Sequence, residues 1–463
     1  MANIILFNTL GREKQKFIPL KKGRVSLYTC GPTAYWYAHI GNMRSYIFED
    51  ILRRTLEYNK LKVKHVMNVT DVGHLTSDGD EGEDKMVKAL RREGKPLTLS
   101  SVKQVAKFYE KAFFRDVKKL NILMPGKIIQ ATRCVHDMIK FIEKIEARGY
   151  TYKTSVGLTF DTSKYKHYAE LGRLNLEEQR EGARGKKDSE RRNASDFALW
   201  ITNQPKHIMQ WDSPWGRGFP GWHLECAVIA TCELGEKIDI HCGGVDHIQV
   251  HHTNERAEAE AVTGERWVNF WMHNEFLLLN NGKMAKSDGK IITVEALEKR
   301  GYDPLVLRYF FLTAHYRSQQ DFTWAGLSAA KTTFERLKNL VLELKAKKDS
   351  NGKIDSYQKE FLENVNDDLN MPEALAVVWN VLRSELGSKQ KLALLLDFDK
   401  VLGLGLKSVK KDKVPKEISV LVKKREAARA KKDWKTSDKI RAELAKKGWL
   451  IEDKATGAKV KKA

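Results

Sequence analysis

The chain has 463 residues, 42% hydrophobic and 31% charged, and 82 Lys+Arg against 60 Asp+Glu give it a net charge of +22. No apolar run reaches the roughly 18 residues of a membrane span, and five cysteines, few and odd in number, argue against a disulfide framework and for a reducing, cytoplasmic compartment. The length supports several domains with sizeable cores, and the cationic excess favours a polyanionic partner, most often nucleic acid.

The first ten residues, MANIILFNTL, lack a basic n-region, so no secretory signal is expected. Arg24–Cys30 alternates apolar Val25 and Leu27 with polar neighbours and predicts a strand. Met43, Ile47 and Ile51, with Phe48 and Leu52 beside them, predict a helix. Val-rich Leu61–Asp71 predicts a second strand. This β-α-β unit is the seed of a doubly wound parallel sheet, an α/β fold whose ligands bind beyond the carboxyl ends of the strands. Thr98–Gly149 reads as mostly helical, and residues 150–195 as short strands and a charged loop, the pattern of an insertion. Lys237–Gly244 reads as a strand entering a glycine loop, followed by a helix, HHTNERAEAEAVTG, stopped by Gly264. From Leu327 to Leu406 the spacing predicts a helix bundle. Two short helices follow, the second N-capped by Asp433 and ended before Gly448. Basic clusters lie at Arg184–Arg192 and from Lys407 onward.

His39-Ile40-Gly41-Asn42 falls between the first strand and helix, where a glycine allows close approach to a nucleotide at a helix N-terminus. Far downstream, NNGKMAKSDGK (Asn280–Lys290) carries Lys283 and Lys286, suited to neutralising charge on a triphosphate. In this order, and after a β-α-β start, the two resemble the HIGH and KMSKS motifs of class I aminoacyl-tRNA synthetases. Cys30 opens the loop ahead of His39, Cys226 ends WHLEC, and His251 and Glu255 stand four apart on one face of a predicted helix. Two thiols, an imidazole and a carboxylate are zinc ligands. They come from three distant segments, so His241, Cys242, His247 and His252 compete with them. Cys134 and Cys232 read as core thiols on helix faces.

The resemblance narrows to the bacterial-type cysteinyl-tRNA synthetases and runs end to end. It is carried by FNTL, YTCGPTAYWYAHIGN, NVTDVGHLTSDGDEGEDKM, RNASDFALW, SPWGRGFPGWHLEC, HHTNERAEAEA, KMAKSDGK, LTAHYRSQQDF and IRAELAKKGWLIED. It implies a class I Rossmann-like catalytic domain in two halves, 1–120 and 199–262, separated by a connective insertion, 121–198. A linking subdomain with the KMSKS motif (263–325), a helical bundle (326–406) and a C-terminal anticodon-binding domain (407–463) would follow. It further implies one zinc on Cys30, Cys226, His251 and Glu255, and ATP with magnesium against Pro32, Thr33, His39, Gly41, Asn42 and Lys286. His39, Asn42, Lys283 and Lys286 would act in catalysis, and Thr70, Trp222 and Asp246 would position substrate.

The implied reaction is ATP-dependent activation of L-cysteine and its transfer to tRNA(Cys), with zinc reading the thiolate against serine. The basic tail would meet the anticodon end and the insertion the acceptor end, in a monomer. Four positions depart from the family pattern. Asn42 ends the HIGH segment and Ala285 sits within KMSKS, both conservative forms. Cys242 stands in HCGGVD, near the expected zinc, and Val460 replaces a tail aromatic. Three rivals fit less well. A cysteine–amino-sugar ligase has no use for a basic C-terminal tRNA-binding region. A tRNA-binding protein that had lost catalysis would show broken motifs. A zinc hydrolase would need a vacant metal position.

Overall fold

The structure is a computed structural model that describes residues 3–72, 84–174, 190–279, 282–283, 291–410, 415–454 and 457–462. Five parallel strands form its central sheet, in the order Val268–Asn274, Ile238–Gly244, Arg24–Thr29, Lys62–Val69 and Lys127–Gln130. The helix Ile40–Tyr58 crosses from the third of these to the fourth, as the sequence predicts. Both faces of a parallel sheet need cover, and both have it. Val25, Leu27, Met67 and Cys242 pack with Met43, Ile47 and Ile51 of that helix on one side. On the other, Tyr28, Val66 and Trp271 pack with the helices Val135–Ala147, Trp222–Leu234 and His251–Thr263. His251–Thr263 ends at Gly264, at φ +75°.

The stretch Thr98–Gly149 is mostly helical, as expected, but the edge strand Lys127–Gln130 interrupts it. This strand separates the helices Leu99–Lys119 and Val135–Ala147 and pairs with Val66–Val69. Pro125-Gly126 breaks the helical run just before it, and four residues are too few for a visible period. Residues 151–220 hold a separate antiparallel sheet, Thr151–Thr154, Gly157–Phe160, Phe197–Ile201 and Phe219–Pro220.

After a three-stranded sheet (Gly282–Lys283, Leu277–Leu279, Gln320–Phe322) come four bundle helices, Trp324–Ala346, Asp355–Asn366, Met371–Arg383 and Ser388–Leu402. Phe361 and Phe398 stack at 4.0 Å in the bundle core. The bundle is tied to the first helix of the catalytic core by a buried charge group. Arg308 and Arg54 both pair with Asp50, at 2.6 and 2.7 Å, and Arg308 also donates to the Leu402 carbonyl. Such a group is costly to break once built.

The tail holds the two expected helices, Lys416–Ala430 and Trp434–Lys446. The Asp433 carboxylate caps the second from 3.0 Å, and Gly448 follows at φ +76°. It then adds an unexpected hairpin, Trp449–Lys454 with Gly457–Lys462. Val460 pairs with Ile451 in that hairpin and packs against the core of Ile418, Ile440, Leu444 and Trp449. No helix among the described residues is long and apolar enough to cross a membrane.

Candidate active site

A cleft of about 350 Å³ opens beyond the carboxyl ends of the strands Arg24–Thr29 and Ile238–Gly244. It gathers most of the residues singled out in the sequence. Cys30, Pro32, Thr33, His39, Gly41, Asn42, Thr70, Trp222, Cys226, Asp246 and His251 all line it. Glu255 is fully buried behind them. Lys283 lies in a short strand beside Leu277–Leu279, and Lys286 is outside the described residues.

The thiols of Cys30 and Cys226 lie 3.8 Å apart. Two sulfurs on one tetrahedral zinc, each near 2.3 Å from it, would be about 3.8 Å apart. Glu255 Oε1 is 3.7 Å from Cys30 Sγ and 2.9 Å from His251 Nε2. The four ligand atoms lie within 4.8 Å of one another. Cys30, His241, His252 and Glu255 form a second set within the same limit. The two sets differ in access, since His241 and His252 do not line the cleft whereas Cys226 and His251 do. Three residues of the first set line the cleft, against Cys30 alone in the second, so the first set is the more open to a substrate.

Burial and mutual charge shift every member of the cluster from its ordinary protonation behaviour. Burial opposes a charge on His251, but Glu255 and the Cys226 sulfur outweigh it and raise the imidazole to about 10. Burial likewise opposes ionisation of Glu255, yet His241 and His251 hold it far below the usual carboxylate range. Burial, then the neighbouring Cys226 sulfur, pushes the Cys30 thiol up. The Cys226 thiol is drawn down against its burial by the bond from Cys30 and by His251. A divalent ion on these four ligands would have to displace the protons that the cluster shares.

A further layer holds these ligands. His241 Nε2 donates to Glu255 Oε2 at 2.8 Å, fixing the oxygen that faces away from the thiols. His223 Nδ1 meets His251 Nδ1 at 2.9 Å, and Trp222 stacks on the His251 ring at 4.5 Å. His252 pairs with His273 at 2.7 Å, and His273 with Thr9 Oγ1 at 2.7 Å. Thr70 donates to Glu225 at 2.7 Å. Gly243 is required here, because a Cβ would lie 2.6 Å from the His252 ring and 2.7 Å from His247. Thr9, His223 and Glu225 fall within the FNTL and WHLEC stretches without being singled out there, His273 lies outside every quoted motif, and only spatial proximity gives the four this supporting role.

At the far end of the Cys30–Asn42 loop the HIGN segment is a helix cap. His39 Nδ1 accepts from the Asn42 amide at 3.2 Å, and Asn42 Oδ1 accepts from the His39 amide at 3.1 Å. This reciprocal pair is a capping box. It turns the His39 ring over Gly41, where a Cβ would sit 2.9 Å from Nδ1. The cap thereby fixes the ring at the helix N-terminus, where phosphate is favoured.

Residues 16–332 match the family model of the class I (C) tRNA synthetase catalytic domain, and residues 411–460 that of the cysteinyl-tRNA ligase anticodon-binding domain. The chain is 43% identical to the cysteine–tRNA ligase of Treponema denticola, over 95% of each chain. It is 46% identical to cysteine–tRNA ligase 1 of Burkholderia lata, over 96% of this chain and 93% of that one. The chain belongs to the cysteine–tRNA ligase family. Its fold is also that of methionyl-tRNA synthetase from Mycobacterium tuberculosis, with a TM-score of 0.57 at 16% identity over 82% of this chain and 90% of that one.

As a class I synthetase of this family, the enzyme uses ATP, an amino acid and tRNA as substrates. Two cysteine readings change with the structure in view. Cys242 does not face the cluster of Cys30, Cys226, His251 and Glu255. Successive residues of a strand point to opposite faces, so His241 reaches Glu255 while Cys242 enters the core beside Met272 and Ile240. Cys232 is exposed rather than a core thiol, because it falls on the outer side of the helix Trp222–Leu234. Cys134 is half-buried at the N-cap of Val135–Ala147.

Proposed function

We propose that the enzyme activates L-cysteine with ATP to cysteinyl-adenylate, passes it to tRNA(Cys), and rejects serine through a zinc ion held by Cys30, Cys226, His251 and Glu255. The observation that carries this reading is the meeting of these four ligand atoms at the cleft that also holds His39 and Asn42. Serine differs from cysteine by one atom, and a pocket reading size alone would separate them by only about 1–3 kcal/mol. Zinc, when bound, supplies a sulfur-preferring Lewis acid that favours a thiolate far more than an alkoxide.

The chain's own side chains do the rest. Trp222, stacked on His251, covers the ligand ring and gives the substrate methylene an apolar wall. Thr70, held by Asn68 and Glu225, and Asp246 at the rim position the amino acid. Pro32, Thr33, Gly41, His39 and Asn42 form the nucleotide wall, and Lys283 and Lys286 meet the phosphates with magnesium as counterion. The antiparallel sheet between residues 151 and 220, which overlaps the insertion expected at 121–198, and the basic region 407–463 are assigned to the acceptor and anticodon ends of the tRNA.

Cysteine-dependent ATP–pyrophosphate exchange tests the reading. Zinc-loaded enzyme is expected to exchange with cysteine and scarcely with serine, to lose exchange on chelation and to regain it with zinc. No exchange with cysteine in zinc-loaded enzyme would overturn it.

A further inference from the structure

Cysteine activation brings two anions together. A carboxylate oxygen of cysteine attacks the α-phosphorus of ATP and forms a new O–P bond. The bond from that phosphorus to the bridging oxygen breaks, and pyrophosphate leaves with the electron pair, with no proton transferred. Such a step needs a cation near the carboxylate as well as near the departing phosphates. The described cleft lining includes acidic Glu49, Asp246 and Glu275, and among those described residues its only lysine or arginine is Lys85.

Lys85 stands at the amino-acid end of the cleft. Its ammonium lies 4.7 Å from the centre of the Trp222 ring, and that ring stacks on His251 at 4.5 Å. Three bonds separate a cysteine sulfur from its carboxyl carbon, a span of at most about 4 Å. The two contacts set the ammonium at most about 9 Å from the centre of the His251 ring, so a substrate held by its sulfur beside His251 and extended toward Lys85 would bring its carboxylate up to that cation. The backbone at Lys85 is also fixed. It begins the helix Lys85–Arg92, whose cap Asp84 accepts from the Met86 amide at 2.6 Å and meets His207 Nε2 at 3.2 Å. Met86 and Leu90 anchor the helix in a small core with Val102 and Tyr109.

We propose that Lys85 is a catalytic residue of cysteine activation, its ammonium meeting the substrate α-carboxylate and the α-phosphate that it attacks. This deepens the function proposed above and rests on it. The test uses zinc-loaded full-length enzyme with Lys85→Ala and Lys85→Arg. Lys85→Ala is expected to lower the cysteine-dependent exchange rate by about 100-fold or more, with zinc content unchanged. It should weaken binding of L-cysteine but leave competition by cysteamine, which lacks the carboxylate, within about twofold of wild type. Lys85→Arg, which keeps the charge, should retain a measurable part of the rate. Exchange in Lys85→Ala within about threefold of wild type would overturn the proposal. So would equal loss of cysteine and cysteamine binding, which would assign Lys85 to supporting Trp222 alone. Absence of exchange in the wild type would instead sink the cysteine-activation reading itself.

Discussion

The two ends of the segment Thr29–Asn42 are built in opposite ways. At Cys30 the groups that matter come from distant parts of the chain, and each is locked by another buried side chain. At His39 they come from within four residues, the side chains of His39 and Asn42 each accepting from the other's backbone amide. The first end is therefore specific and intolerant of change. The second is mainly a local device, to which the distant Ile292 carbonyl adds one bond from the Ile40 amide at 2.8 Å. The sulfur sensor proposed for the first end would need fixed soft ligands, which only tertiary packing can hold together. A phosphate contact needs chiefly a helix N-terminus, which local sequence supplies.

The largest effect should come from removing Glu255. Glu255→Ala leaves His251 and His241 without their buried carboxylate, and breaking such a pair costs about 3–5 kcal/mol. Zinc content by atomic emission should fall from one per chain to near none, and cysteine-dependent exchange with it. Retention of full zinc would transfer the metal to other ligands and end the contrast between the two loop ends.

Acid titration probes the support beneath Cys30. His65 Nε2 pairs with Thr29 Oγ1 at 2.9 Å. Burial, then the charge of Arg53, lowers this imidazole from 6.5 to about 3. The unfolded chain therefore binds the proton first as pH falls. His65 contributes stability that is whole above pH 6.5 and is lost progressively as pH drops toward 3. Urea midpoints between pH 7 and 4 should decline less steeply in His65→Gln than in wild type. Parallel slopes would remove His65 from the account.

Gly243→Ala should cost about 1–3 kcal/mol by forcing apart the His252 and His247 rings. It should also lower zinc affinity, because His252 adjoins Cys30 at 3.4 Å. Equilibrium unfolding and zinc competition with a chelator would measure both. The smallest effect belongs to the local end. His39→Ala should cost only about 1 kcal/mol of stability through the lost cap. It should lower the exchange rate while leaving zinc content and cysteamine competition unchanged. A loss of zinc in that variant would show that the two ends are not independent.

The legible parts of the sequence were those with short-range causes. Met43, Ile47 and Ile51 declared the first helix, Gly264 its stop on another, and Asp433 a cap. The edge strand Lys127–Gln130 was hidden because four residues between two long helices have no readable period. The tail hairpin was hidden because a run of lysines obscured the alternation that brings Val460 onto Ile451. Cys242 takes the core face rather than the face toward Glu255, because proximity along the chain to a glycine loop does not say which face of a strand a side chain takes.

The sequence by itself determined the class I order of motifs, the parallel-sheet start and the residue types at the site. Periodicity, caps and motif spacing are properties of neighbours along the chain. Only the tertiary structure decided that Cys30, Cys226, His251 and Glu255 meet, that His241 stands behind them as a support, and that Lys85 overlooks the same pocket. Contacts across hundreds of residues follow from how the two sheet faces are covered, and no local pattern encodes that covering.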